Sequence, residues 1–319
     1  MMREGMRSVM LMTTYECQLR CGYCQVRRGP RRMSEETARR GADLLLSSRA
    51  PRLVLNFFGG EPLLAWDLVR RTALYAQARR GGRPLRVNLT TNGLLLDQGK
   101  LDFLKGLDSH VHFSLDGHAQ ANSARLLGTG AATQAKLEAA LRRLDASGVP
   151  YHVNAVVDPE RADFFDADLF SLEDLGAKRI QFGYRVAALW SPKAVCDLLR
   201  ALDRYESYAR AELVNRFSDS EPVMLKNEIL VDIDGGLYWD GAVFLEAALP
   251  EVRGALRLGS LDDGLDVDRL EPSSRESFDR LLAAYPPGTA GSRLILNNIK
   301  LGLALQRRWP ARRLSEVLT

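Results

Sequence analysis

The chain has 319 residues, enough to bury a full core as one large domain or as one large and one small. Its 46% hydrophobic and 26% charged residues are ordinary for a globular protein and exclude disordered and fibrous classes. Lys and Arg number 44 against 40 Asp and Glu, and the arginines are scattered in ones and twos among acids, so the net charge of +4 predicts no nucleic-acid partner.

No run of 18 apolar residues predicts a membrane span. The apolar stretch at 9–12, behind Arg3 and Arg7, is too short for a signal peptide. No membrane partner and a cytoplasmic location are therefore expected. In chain order, β-rich apolar runs at 8–13, 52–58, 85–91, 110–115, 151–157 and 179–184 alternate with segments of helical period at 34–47, 64–79, 97–107, 131–146, 162–175 and 192–214. Six β–α units predict an α/β fold with a parallel sheet and helices outside it. With right-handed crossovers this is a partial (β/α)6 TIM-like barrel, with a doubly wound open sheet as the alternative. Beyond about residue 216 the rhythm changes. Segments 228–233 and 237–240 flank Asp234-Gly235-Gly236 as a hairpin. A short strand at 256–261 and helices at 266–284 and 294–308 follow, the helices separated by Pro286-Pro287-Gly288. The expected domains are a barrel over 1–215 and a small α+β cap over 216–319.

Three of the four cysteines, Cys17, Cys21 and Cys24, fall in one CxxxCxxC stretch after the first strand. Three thiolates in a short loop hold three irons of a [4Fe–4S] cluster and leave the fourth iron open. Zinc is the rival, but it asks for a fourth protein ligand or a water, and no histidine precedes His110. Cys196 reads as a small buried hydrophobe on a helix, and the four histidines read as packing or surface residues. Gly59-Gly60-Glu61-Pro62 closes the second strand. Its glycines admit close backbone approach, Glu61 offers a carboxylate, and Pro62 suits a first helical turn. Thr90-Thr91-Asn92-Gly93 and Ser114-Leu115-Asp116-Gly117 close the third and fourth strands and read singly as turn formers.

Taken together, these motifs, with Tyr23 before the last cysteine, resemble the radical S-adenosylmethionine (radical SAM) superfamily. They are most similar to the subgroup of anaerobic sulfatase-maturating enzymes and peptide maturases. The resemblance implies an oxygen-sensitive [4Fe–4S] cluster on Cys17, Cys21 and Cys24, with S-adenosylmethionine chelated to its free iron. It further implies reductive cleavage of SAM to a 5′-deoxyadenosyl radical, fed by an external flavodoxin- or ferredoxin-type electron donor, and hydrogen abstraction from a substrate. Gly59, Gly60 and Glu61 would bind the methionine amino group. Ser114, Arg125, Asn92 and Asn154 would complete the SAM site. Arg125 lies one residue closer to the serine than the subgroup's pattern, and Ala121-Asn122 stands where a His-Asp pair is usual.

Tyr238-Trp239-Asp240 replaces the cysteine that closes the hairpin in relatives with auxiliary clusters. The cap is accordingly expected to be twitch-like and without an auxiliary cluster, its Asp232, Asp234, Tyr238 and Asp240 lining the substrate cavity. Tyr184, Asp232, Tyr238 and Asp240 are the catalytic candidates. The subgroup implies a residue of a ribosomally made peptide as substrate. The alternative is a small molecule: a sugar, nucleoside or amino acid.

Overall fold

The computed structural model describes residues 6–125, 131–214, 225, 228–270 and 274–308. The first two-thirds runs β1 (Met6–Thr14), α1 (Glu35–Leu46), β2 (Arg52–Gly59), α2 (Trp66–Arg79), β3 (Leu85–Thr91), α3 (Gln98–Lys105), β4 (Ser109–Ser114), α4 (Ala131–Ser147), β5 (Tyr151–Val157), α5 (Phe165–Asp174), β6 (Arg179–Tyr184) and α6 (Pro192–Tyr208). Local chemistry starts the helices. Ser34, Asp97 and Ser191 each cap one by accepting a backbone N–H, and Pro192 follows its cap where a missing N–H costs nothing.

β1 to β6 lie side by side in chain order, all parallel. A doubly wound sheet would reverse its order at a switch point, so this order selects the barrel. The barrel is open. β7 (Glu212–Leu213) extends one edge beside β6. On the other side β8 (Ile229–Val231) pairs parallel to β1, and β9 (Gly236–Trp239) and β10 (Arg257–Ser260) continue antiparallel. The predicted hairpin is present, and it prolongs the barrel's own sheet. Short helices α7 (Gly241–Phe244) and α8 (Val252–Ala255), then α9 (Ser274–Ala284) and α10 (Ala290–Arg308), complete the chain. The expected boundary at 215/216 lies outside the described residues. Among the described residues no helix is long and apolar enough to cross a membrane.

Strand burial alternates. In β4, Ser109, Val111 and Phe113 are buried beneath the helices, and His110, His112 and Ser114 face inward. Asn88 and Thr90 of β3, Asn154 of β5 and Gln181 of β6 repeat this pattern. An ordinary barrel fills its interior with branched apolar side chains. Here His112, Ser114, Asn88, Thr90, Asn154 and Gln181 bring polar groups to the inward face and line a cavity.

Three expectations change. The sixth helix stops at Tyr208, because the chain turns at Ala209 to form β7. The predicted helix at 266–284 is a short 3-10 turn, Val267–Arg269, and then α9. Cys196 is exposed rather than buried, since the inward stripe of α6 is Ala194, Leu198, Ala201, Leu202 and Tyr205.

α1 lies close on the sheet at Gly41, where a Cβ would sit 2.6 Å from Leu11 Cδ2 and 3.4 Å from Val231 Cγ2. Both neighbours are fully buried and cannot yield freely. Gly41→Val is expected to lower stability by about 2–3 kcal/mol through overpacking, read from the denaturant midpoint.

Candidate functional site

The ends of β1, β2, β3 and β4 converge on a cavity of about 820 Å³, with Cys17, Cys21 and Cys24 on its wall. The cysteine loop is anchored at its root. Tyr15 N–H donates to Arg31 O, Met33 N–H to Thr13 O, and Arg28 to Leu19 O at 2.6 Å. All three thiols are free and half-buried. Burial pushes Cys17 up to about 11, helped by Glu61 and the neighbouring thiols. Burial also raises Cys21, against the opposing charge of Arg125.

Gly59 and Gly60 lie against the loop root. A Cβ on Gly59 (φ +150°) would be 2.4 Å from Thr14 O, and one on Gly60 would be 2.2 Å from Glu16 O. Gly60 N–H donates to Thr14 O and Glu61 N–H to Glu16 O, both at 2.8 Å. The glycines therefore admit backbone as well as lining the cavity. Glu61 itself is fully buried and is not on the cavity wall. Its carboxylate accepts from Leu63 N–H (3.0 Å), Thr91 Oγ1 (2.7 Å) and Asn92 N–H (2.8 Å), which ties the end of β2 to the end of β3. Burial lifts it to about 7 despite these bonds. Asn92 extends the link, its amide 3.7 Å from Cys17 Sγ and 3.3 Å from Gln18 Oε1.

Ser114 and Asn154 face each other in register on β4 and β5, and both line the cavity. Arg125 lines it too. It is buried and ion-paired to Asp116 at 2.9 Å, and its Nε has no partner. Burial works against its charge, but Asp116, Tyr23 and Cys21 together outweigh burial and keep it protonated. Asp116 is a hub that the sequence reading took for a turn. Its Oδ1 also accepts from Val156 N–H at 2.9 Å, and its Oδ2 accepts from Tyr23 OH at 2.7 Å. Gly22 N–H donates to Ala124 O at 2.7 Å, so the 116–125 segment clamps the far side of the cysteine loop.

The C-terminal candidates divide. Tyr184 and Asp240 line the cavity. Asp232 does not; it accepts from Tyr15 OH at 2.9 Å and pairs with Arg253. Asp234 accepts Gly236 N–H in the hairpin turn, and Tyr238 lies under Arg253, 4.6 Å from its ring centroid. Glu228, which sequence reasoning missed, joins Asp240 on the cavity wall. It is bonded to Ser8 and Asn56. Nothing in the sequence separates it from a surface acid before a strand. Among the described residues neither acid has a salt bridge. Burial and the neighbouring Glu228 lift Asp240 to about 8, and burial raises Glu228.

Three sulfurs bound to one zinc stand about 3.8 Å apart, from Zn–S bonds of about 2.3 Å. Among the described residues the one trio of ligand atoms gathered within 4.8 Å is that of His110, His112 and His152; the cysteine sulfurs are spread wider. The loop therefore fits a polynuclear cluster better than a single ion.

Residues 11–163 match the family model of the Radical SAM superfamily. The chain carries a radical SAM domain. A [4Fe–4S] cluster is characteristic of that superfamily. The chain is 35% identical to the PqqA peptide cyclase of Gluconobacter oxydans over 209 residues, 64% of this chain and 56% of that protein. It is 38% identical to GTP 3′,8-cyclase 2 of Mycobacterium tuberculosis over 169 residues, 50% of this chain and 45% of that one. It thus spans about half the length of these curated relatives. The solved structure of native anSMEcpe with bound AdoMet matches with a TM-score of 0.71 at 18% identity, over 90% of this chain and 87% of that one, a likeness of fold.

Two outcomes follow for the radical SAM domain. Removing Asp116 leaves the Arg125 charge buried alone, so Asp116→Ala is expected to cost about 3–5 kcal/mol in a denaturation titration. Stability should also peak near pH 6. Glu61 and Asp240 hold protons to about 7 and about 8 when folded, against ordinary values of 4.5 and 3.8. The folded chain then binds more protons than the unfolded one, and stability falls as pH rises through that window. Burial depresses His110, His112 and His152 from 6.5 to about 3, 4 and 2, so stability also falls as pH drops below 6.5. Asp240→Asn should flatten the alkaline limb of the midpoint-against-pH curve and steepen the acid limb down to about pH 4, where proton uptake by Asp240 opposes the histidines.

Proposed function

We propose that this chain is a radical SAM enzyme that abstracts hydrogen from a residue of a ribosomally made peptide or protein. The observation that carries this reading is the meeting of three free thiols with Gly59, Gly60, Ser114, Arg125 and Asn154 on one cavity wall. The 35% identity to a PqqA peptide cyclase supports the peptide.

Cys17, Cys21 and Cys24 would hold a [4Fe–4S] cluster, with the Asn92 amide against Cys17 and Tyr23, Asp116 and Arg125 holding the loop. When bound, the cluster and SAM supply a 5′-deoxyadenosyl radical that takes a hydrogen atom from substrate. The remaining work belongs to the chain. The Gly59-Gly60 wall leaves room for the methionine of SAM beside the loop. Arg125, with its unpartnered Nε, and Ser114 offer donors for the methionine carboxylate. Glu61 acts as a strut under this wall. Asp240 is the proton-transfer candidate. Glu228 N–H and Gly241 N–H both bond its Oδ1, which leaves Oδ2 to meet substrate, and its raised proton affinity suits exchange near neutral pH. Tyr184 lines the same space. Asp232 and Tyr238 brace the hairpin.

Residues 216–319 would serve as the substrate cap. Cys196 is the one cysteine outside the loop and lies exposed on α6, so this chain has no cysteine set for an auxiliary cluster. Chemistry without a net oxidation, such as epimerisation or rearrangement, suits a site without an internal electron acceptor. The electron would come from an external flavodoxin or ferredoxin, and free half-buried thiols suit the reducing cytoplasm. A small-molecule substrate is the second reading, favoured by the 38% identity to GTP 3′,8-cyclase 2.

The test is SAM cleavage by anaerobically reconstituted protein with dithionite, quantified as 5′-deoxyadenosine by mass spectrometry. Cleavage is expected in the wild type and at least 100-fold less in Cys21→Ala. No cleavage with four irons and SAM bound, with or without candidate substrates, would overturn the reading. Stimulation by a precursor peptide and not by GTP supports the peptide; the reverse supports the nucleotide.

A further inference from the structure

Three histidines without any sequence motif meet at the floor of the barrel. His110 and His112 are two apart on β4 and share its inward face. His152 is the direct neighbour of His112 on β5. One ring nitrogen from each lies within 4.8 Å of the others. Ring centroids are 4.4 Å apart for His112 and His152 and 5.0 Å for His110 and His152. His110 Nε2 and His152 Nδ1 are 2.8 Å apart and share a proton. His152 Nε2 is buried without a partner of hydrogen-bonding geometry, although the Asn154 side chain adjoins the ring. His112 opens onto the cavity wall.

We propose that His110, His112 and His152 form a second metal site, for a divalent ion of the zinc class, beneath the cavity and separate from the cysteine loop. Three imidazole nitrogens are the donor set of an open zinc site. Zn–N bonds are then about 2.0–2.1 Å, and the fourth position is left to water or a substrate heteroatom. Imidazole donors also admit cupric, nickel and ferrous ions, and they disfavour magnesium and calcium. As a packing cluster the trio is poorly satisfied. One shared proton uses only two of the six ring nitrogens. An ion would take one nitrogen from each ring. The 2.8 Å pair would open to about 3.3 Å, the ligand spacing of a tetrahedral ion with such bonds.

The local charge permits it. Burial keeps the rings neutral, the form that ligates. The cations that act on them are Arg86 and Arg179, and these are held by Asp108 at 3.0 Å and Glu212 at 2.9 Å. The fourth position would face the cavity through His112, where an oxygen of a carbonyl or carboxylate substrate, or a water, can reach it. This inference does not depend on the peptide reading.

The test uses anaerobically reconstituted protein equilibrated with micromolar Zn²⁺ and desalted. Elemental analysis is expected to find about one zinc per chain beside four irons. X-ray absorption at the zinc edge should show nitrogen neighbours at about 2.0 Å with imidazole scattering and no sulfur shell at about 2.3 Å. His112→Ala and His152→Phe should each lose the zinc and keep the iron and the circular dichroism spectrum. Absence of zinc from the wild type, a sulfur shell, or equal zinc in folded histidine variants would each overturn the site. Should both variants misfold, the absorption spectrum of the wild type still decides.

Discussion

Two stretches of backbone, Thr14–Glu16 at the root of the cysteine loop and Gly59–Gly60 at the end of β2, lie so close that no side chain fits between them. The contact is hydrogen-bonded on both sides, through Gly60 N–H to Thr14 O and Glu61 N–H to Glu16 O. Everything above the sheet depends on it. It fixes where the loop leaves β1, and hence where Cys17 stands. Glu61 follows at once and carries the constraint to β3 through Thr91 and Asn92. Asn92 then returns to Cys17. Asp116 makes a second clamp from β4 on the loop's far side, through Tyr23 and Arg125. Four strand ends are thereby locked around one short loop before any ligand enters.

The buried carboxylates show how the same residue type serves different ends. Asp116 and Asp232 are each paired with an arginine and bonded to a tyrosine, and their charge is spent within the protein. Glu61 is satisfied by neutral donors and braces the wall. Asp240 and Glu228 are half-buried neighbours on the cavity wall, and neither has a salt bridge among the described residues; loss of solvent disfavours the charge of both, and Glu228 further disfavours that of Asp240. An acid left in that state is costly for the fold, and such cost is retained where protons move. This separates Asp240 from Asp232, which the sequence reading treated alike.

Much of the architecture was legible from periodicity. Six alternating apolar runs and helical segments pointed to a parallel α/β sheet with helices outside it, and only the sequential strand order of the fold settled the barrel against the doubly wound alternative. The cysteine spacing pointed to the loop whose three thiols line the cavity. Boundaries were less legible where the chain changes hydrogen-bond pattern without changing composition, as at β7 after α6. Cys196 was misjudged because one position along a helix turns a side chain by about a third of a turn, from core to solvent.

What the sequence determined by itself is therefore local: element type, the spacing of three thiols, and the strand ends at which unusual residues cluster. Tertiary structure alone decided which of those residues share a space. Glu61 proved to be a strut, Asp116 a hub, and Glu228 a neighbour of Asp240 across the β8–β9 hairpin. The three histidines met because β4 and β5 pair in one particular register. A single-residue slip would have turned His152 to the opposite face. Pairing register and chain crossing act between residues tens of positions apart, and no pattern within one segment encodes them.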